Sequence, residues 1–228
     1  AALGQMSAGL SHELNQPLAA IRSYSDNARV FLERGRTDIV GSNLSAIGEL
    51  TSRMARIIRH LRTYARKEPT TMGPTSVNRA IDDAIGLLQR RIDEAEVDVT
   101  IDLPYDLTVI GGEVRLQQVF VNLIGNAIDA MAASPRRAIR IAGREIEDRA
   151  ILTVTDSGPG IAPENLASVF DPFFTTKDVG AGLGLGLSIT YGIVQQFGGS
   201  ITARNAPGGG AEFEIVLVPA TATLVSAA

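Results

Sequence analysis

The chain has 228 residues, 45% of them hydrophobic, enough to bury one sizeable core together with a smaller element. A formal net charge of −4 and the lack of a long basic tract argue against general nucleic-acid binding. Without cysteine there are no disulfides or thiolate metal sites, and no stretch reads as a bilayer-spanning segment or a signal peptide.

The chain opens directly in helical pattern, "AALGQMSAGL", so the expectation is a piece cut from a longer protein. Leu3, Met6, Leu10, Leu14, Ile21, Tyr24, Ala28 and Phe31 follow one another at helical spacing, and Pro17 fills the gap after Leu14. Such steps of three and four make a heptad-like seam. Gly35 in "ERGR" ends this helix, and Thr37 is placed to cap a second. Its seam reads Val40, Leu44, Ile47, Leu50, Met54, Ile57, Leu61 and Tyr64. Two long helices joined by a short loop predict an antiparallel hairpin that cannot enclose its own apolar stripe. The expected solution is a homodimer in which two hairpins form a four-helix bundle. "KEPTTMGPTS", with two prolines and a glycine, reads as a linker, which divides the chain into 1–67, a linker over 68–75, and 76–228.

Beyond the linker the texture changes. "SVNRAIDDAIGLLQRRIDEA" is helical, with Ile81, Ile85, Leu88 and Ile92 on one face. "VDVTIDL" alternates as a strand, and "EVRLQQVFVNLIGNAIDAMAAS" is a second long helix. "AIRIAGREI" and "AILTVTD" read as adjacent strands, "LGLSITYGIVQQFGG" as a third helix stopped by Gly198 and Gly199, and "SITARNA" and "AEFEIVLV" as a closing pair of strands. The predicted class is a helical hairpin followed by an α/β sandwich, a mixed sheet covered by three helices.

Chemistry concentrates in five stretches. In "SHELNQPL", His12 lies about 200° around the helix from Leu10 and Leu14, pointing away from the seam. On its own such a histidine is most simply a surface residue. Glu13 beside it adds a carboxylate that can orient the ring or accept its proton, and Pro17 predicts a local bend one turn on. Asn122 and Asn126 sit one turn apart in "NLIGNAIDA", where an amide oxygen can hold a hard cation; satisfied buried amides are the plainer alternative. In "DSGPGI", Asp156 ends a strand and can accept from an exocyclic amine, while Gly158 and Gly160 permit close backbone approach. The alternative there is a tight turn into a helix starting at Pro163. "FDPFFTTK" sets three phenylalanines beside Lys177, either anchoring a lid or pinning a loop to the core. "GAGLGLGLSI" leads a glycine-rich loop with Gly182, Gly184 and Gly186 into a helix, a phosphate cradle or a flexible loop.

Taken in this order, the five stretches resemble the catalytic core of sensor histidine kinases from two-component signalling. The resemblance covers residues 1 to about 220, and "SHELNQPLAAIRSYSDNA" is particularly similar to the dicarboxylate- and oxygen-sensing branch. It implies a dimerisation and phosphotransfer hairpin and a Bergerat-type ATP-binding domain, with ATP and Mg²⁺ as nucleotide and metal. It further implies His12 as the phosphorylated residue and Glu13 as its base. Asn126 would be the chief Mg²⁺ ligand with Asn122 nearby, Asp156 would read adenine, and Gly158, Gly160, Gly182, Gly184 and Gly186 would shape pocket and lid. Lys177 would contact the γ-phosphate. Asn15 and Gln16 become the candidates for orienting a water in dephosphorylation, since Gln16 stands where many relatives have Thr or Asn. Ala211 stands where many carry Ser or Thr, and is therefore left out of the site.

The activity implied is ATP-dependent autophosphorylation of His12 and transfer to an aspartate of a response regulator's receiver domain. The arginines at 53, 56, 59 and 62 read as a solvated basic face, and His60 as a surface residue. The location implied is cytoplasmic, with membrane attachment only through an upstream region. The alternatives are an ATPase of the same nucleotide-binding superfamily or a degenerate scaffold kinase.

Overall fold

The computed structural model of the chain describes residues 2–65, 72–103, 107–177 and 184–220; within residues 2–65, side chains are described from 15 to 52 and at 54, 55 and 58. The polypeptide divides into two compact units, one of Ala1–Glu68 with Thr175–Leu183 and the other of Pro69–Phe174 with Gly184–Ala228.

The first unit is the expected hairpin, helix α1 (Ala2–Glu33) against helix α2 (Thr37–Ala65). Gly35 makes the turn in a left-handed conformation (φ 73°). Its N–H reaches the Leu32 carbonyl at 3.0 Å and the Arg36 N–H reaches the Phe31 carbonyl at 2.9 Å, the paired bonds of a Schellman stop. Helix α1 continues through Pro17, which is buried in the seam alongside Ala28, so the ring substitutes for an apolar side chain without ending the helix. The row of α2 that faces α1 differs at one position from the apolar stripe a second hairpin would cover. Leu44 is 59% exposed and Asn43 is 6% exposed, so the inner row of α2 runs Val40, Asn43, Ile47, Leu50, Met54. Steps of three and four are equally legal on a helix, and facing side chains, not hydrophobicity, decided between them. The Nδ2 of Asn43 is buried without a hydrogen-bond partner among the described residues.

The second unit begins earlier than the linker reading allows: Gly73–Ser76 form a strand, β1, instead of ending a linker. It pairs antiparallel with β3 (Thr108–Gly111), which also bridges Pro219 through Val109. This pairing puts Ser76 at the N-cap of α3 (Val77–Glu94), where its hydroxyl accepts from the Arg79 N–H at 3.2 Å. The prolines and small polar residues hid the strand because its partner lies more than thirty residues away.

The five-stranded sheet has the order β2-β4-β5-β7-β6, from β2 (Asp98–Asp102), β4 (Ala138–Ile146), β5 (Arg149–Asp156), β6 (Ser200–Asn205) and β7 (Ala211–Leu217). Only β2 and β4 run parallel, so the mixed sheet is as expected. Helix α4 (Glu113–Ala130) packs against both α3 and α5 (Gly186–Gln196). One alternating row faces the core: Ile139 and Ile141 on β4, Ala150, Leu152 and Val154 on β5, Phe213, Ile215 and Leu217 on β7, and Ile201 on β6. The β5 part of this row ends on Asp156, flanked by Ile139 on β4. The helix expected from Pro163 is a single 3-10 turn, Pro163–Asn165.

Candidate functional site

A carboxylate at a core-row position loses hydration, and Asp156 is only 6% exposed. Burial therefore pushes its pKa above the ordinary aspartate value, against the opposing pull of two backbone donors. The Gly158 N–H at 2.8 Å and the Ala211 N–H at 3.2 Å both fall on Oδ1. Oδ2 makes no hydrogen bond among the described residues and is the oxygen available to an incoming amine.

The surrounding glycines are there because no side chain fits. A Cβ at Gly158 would lie 2.9 Å from the Asp156 Oδ1. At Gly210, with φ +87°, it would lie 1.8 Å from the Asp156 carbonyl oxygen. Gly160, with φ +80°, would clash with the Asn205 Oδ1 at 2.7 Å. Asn205 binds the loop as a strand would, accepting from the Ile161 N–H at 2.7 Å and donating to the Ile161 carbonyl at 2.8 Å. Ser157 fastens the other side, accepting from the Ala138 N–H and donating to the Arg136 carbonyl, each at 2.9 Å. Gly210 and Asn205 escaped the sequence reading, although the triple glycine 208–210 was a visible signal. Ala211 was set aside for its missing hydroxyl, yet its N–H is one of the two donors to Asp156.

The second cluster lies along α4. A Cβ built on Gly186 would come within 3.8 Å of the Asn126 Nδ2 and 3.9 Å of the Asn122 Cγ, so the N-terminus of α5 overlies both amides. The Asn122 Nδ2 donates to the Gly186 carbonyl at 3.1 Å and to the Thr190 Oγ1 at 3.2 Å. No side chain caps α5, which leaves its first N–H groups suited to an anion. Ala130 and Met131, at the far end of α4, lie against Gly158. At 1.5 Å per residue, Asn126 and Asn122 sit on the order of 6–13 Å along the helix from the Asp156 loop. One end offers a carboxylate oxygen and the other a helix N-terminus, set apart along α4.

The aromatic stretch takes the plainer of its two readings. Phe170 packs on Tyr191 at 5.7 Å and edge-on to Phe213 at 6.3 Å, pinning the loop to the core. Phe173 adopts a left-handed backbone (φ 68°), and its N–H bonds the Gly184 carbonyl at 2.9 Å. A Cβ on Gly184 would lie 2.4 Å from the Phe174 carbonyl oxygen, so this glycine is a steric requirement. The Lys177 N–H donates to the Thr175 Oγ1 at 3.2 Å. Gly182 lies outside the described residues.

In the hairpin unit, His12 and Glu13 fall on α1, their side chains outside the described set; Asn15 and Gln16 are exposed one turn on. An open groove of about 600 Å³ runs along α1, lined by Ala19, Arg22, Ser23, Asp26, Asn27 and Val30. Ala19, Ser23 and Val30 share the helical phase of His12, being 7, 11 and 18 residues on.

Comparison with known proteins gives two family matches: residues 111–222 to the histidine kinase-, DNA gyrase B- and HSP90-like ATPases, and residues 2–70 to the His Kinase A (phospho-acceptor) domain. The C4-dicarboxylate transport sensor protein DctB of Pseudomonas aeruginosa is 45% identical over 96% of the chain and 36% of its own length. The catalytic domain of histidine kinase ThkA is 31% identical, with a TM-score of 0.58 over 64% of this chain and 95% of that one. ThkA in complex with the response regulator protein TrrA superposes with a TM-score of 0.69 and 26% identity over 95% of this chain and 61% of that one. The chain spans about a third of the length of the DctB relatives it matches.

Proposed function

The chain belongs to the sensor histidine kinases of two-component signalling, and from that premise we propose that it binds ATP in its second unit, phosphorylates its own His12, and passes the phosphoryl group to an aspartate of a response regulator. The observation that carries this reading is Asp156: a buried carboxylate with Oδ1 held by two backbone donors, Oδ2 open, and glycines closing around it. That arrangement suits the exocyclic amine of adenine, with the triphosphate extending along α4 towards Asn126 and the N-terminus of α5.

The neutral imidazole of His12, oriented by Glu13, attacks the γ-phosphorus in line. A P–N bond forms, the bond from phosphorus to the β–γ bridging oxygen breaks, ADP leaves, and the ring proton passes to Glu13. Positioning and charge neutralisation supply most of the acceleration. A regulator carboxylate then attacks the phosphorus and the P–N bond breaks. Asn126 offers one amide oxygen, and no cluster of three or more acidic, His or Cys ligands exists among the described residues. That donor set fits Mg²⁺, which keeps its waters and leans on substrate phosphates. When bound, the ion would offset charge between the β- and γ-phosphates. Lys177 is assigned to the γ-phosphate, and Asn15 and Gln16 to orienting water for dephosphorylation.

Two hairpins are proposed to close a four-helix bundle, with the regulator docking along the α1 groove that shares the phase of His12. The proposed domains are the hairpin, 1–67, and an ATP-binding domain that opens with β1 at Gly73, and similarity to a dicarboxylate transport sensor supports placing the core in that branch. No helix among the described residues is long and apolar enough to cross a membrane. We assign the chain to the cytoplasmic side of a longer sensor.

Incubation with γ-labelled ATP tests the reading. Acid-labile, base-stable label on the chain, lost in His12→Gln, is expected. Label appearing only as free phosphate would instead make the protein an ATPase of the same superfamily.

A further inference from the structure

Asn122 and Asn126 share one face of α4, one turn apart, yet their surroundings divide them. Asn126 makes no side-chain hydrogen bond among the described residues. Asn122 is committed. Its Nδ2 meets the Gly186 carbonyl at 3.1 Å and the Thr190 Oγ1 at 3.2 Å, while the Thr190 hydroxyl donates to that same carbonyl at 3.0 Å. A carbonyl can only accept, so the amide must present nitrogen to it, and the Thr190 hydroxyl, its own proton spent on Gly186, must accept from Asn122. Every polarity in the joint is therefore determined. Thr190 is fully buried, so no water can replace a lost partner without rearrangement. Just upstream, the Phe173 N–H holds the Gly184 carbonyl at 2.9 Å.

Resting on the ATP-binding reading of this site, we propose that Asn122 is a positioning residue that, with Thr190, moors the first turn of α5 to α4. The glycine-rich stretch leads into this turn, so the joint sets where the N–H groups of α5 meet the phosphates. Asn122 contributes to nucleotide affinity through that placement, with its Nδ2 held by α5.

Three variants of the full chain separate mooring from ligation. Asn122→Asp keeps a side-chain oxygen for a metal and loses the donor; Thr190→Val keeps shape and loses the hydroxyl; Thr190→Ser restores it. Calorimetry with Mg-ATP is expected to show affinity falling about tenfold or more in Asn122→Asp and about fivefold in Thr190→Val, with Thr190→Ser returning to within about twofold. The Mg²⁺ midpoint stays fixed in both Thr190 variants and moves in Asn126→Asp. Without nucleotide, the amides of residues 186–190 exchange faster in Asn122→Asp and Thr190→Val and are unchanged in Asn126→Asp. Asn122→Asp that keeps its affinity overturns the proposal, as does unchanged exchange in Thr190→Val. If the parent chain binds no nucleotide, the ATP reading fails, and the exchange measurement still decides the mooring.

Discussion

The two units handle the same kind of sequence in opposite ways. In the described part of the hairpin the buried positions are Pro17, Ala28 and Asn43, while Leu18, Leu32, Leu44 and Ile58 are about half or more exposed. In the ATP-binding unit Phe120, Ile81, Leu116, Leu123, Ile124, Ile141, Leu152 and Ile215 are sealed between helices and sheet. The difference is one of layers. A sheet covered by helices closes a core by itself, whereas two helices leave a stripe that only a further layer can cover. The first unit should therefore be stable in proportion to chain concentration, and the second regardless of it.

The largest effect expected is from Gly210→Val, which needs a left-handed backbone and puts a Cβ 1.8 Å from the Asp156 carbonyl oxygen. It should cost more than about 4 kcal/mol. Hydrogen exchange read by region should show protection collapsing over residues 77–217 while the hairpin keeps its own. Next comes a matched pair. Phe120→Ala should cost about 3–5 kcal/mol at any concentration. Leu44→Ala should change the isolated chain by no more than about 0.5 kcal/mol but weaken self-association by about 1–2 kcal/mol, read by sedimentation across a dilution series. Equal and concentration-independent losses in the two would erase the contrast between the units.

Asn43→Leu should raise hairpin stability by about 1–2 kcal/mol, because it removes a buried donor that has no acceptor. Denaturant melts at fixed concentration would show it, and a destabilised variant would mean that the amide is satisfied in the dimer. The smallest effect is from Asp156→Asn. Burial raises the native pKa of Asp156, so the folded state binds the proton more tightly than the unfolded one. Its contribution to stability therefore falls as pH rises from about 4 through the native pKa, and the loss persists above it. Asparagine can still accept both N–H groups through Oδ1, so the variant should gain stability relative to the parent over that pH rise, by under about 1 kcal/mol. It should lose ATP binding at every pH. A variant whose advantage shrinks with rising pH would contradict the desolvation account.

Much of the fold was legible because each long element carried its own periodicity and stop signal. Gly35 and Gly198 end their helices where the sequence puts them, and β5 and β7 alternate cleanly. Strand β1 was missed because four residues containing Pro74 acquire strand character only from β3. The site was legible where chemistry demands a residue type, at Asp156 and the glycines beside it. Asn205 and the Ala211 N–H were not, because a backbone donor and a loop-pinning amide leave no pattern along the chain.

The sequence by itself determined the hairpin, the mixed sheet under three helices, the order of the chemical stretches and the family to which they belong, since helical and strand periods and the steric demands of glycine are local properties. Tertiary structure alone decided that Asn43 and not Leu44 faces inward, that Asn122 is spent on α5 while Asn126 is not, and that Gly210 closes over Asp156. Each of those outcomes depends on which atoms from distant segments arrive within bonding distance, and that is a property of packing.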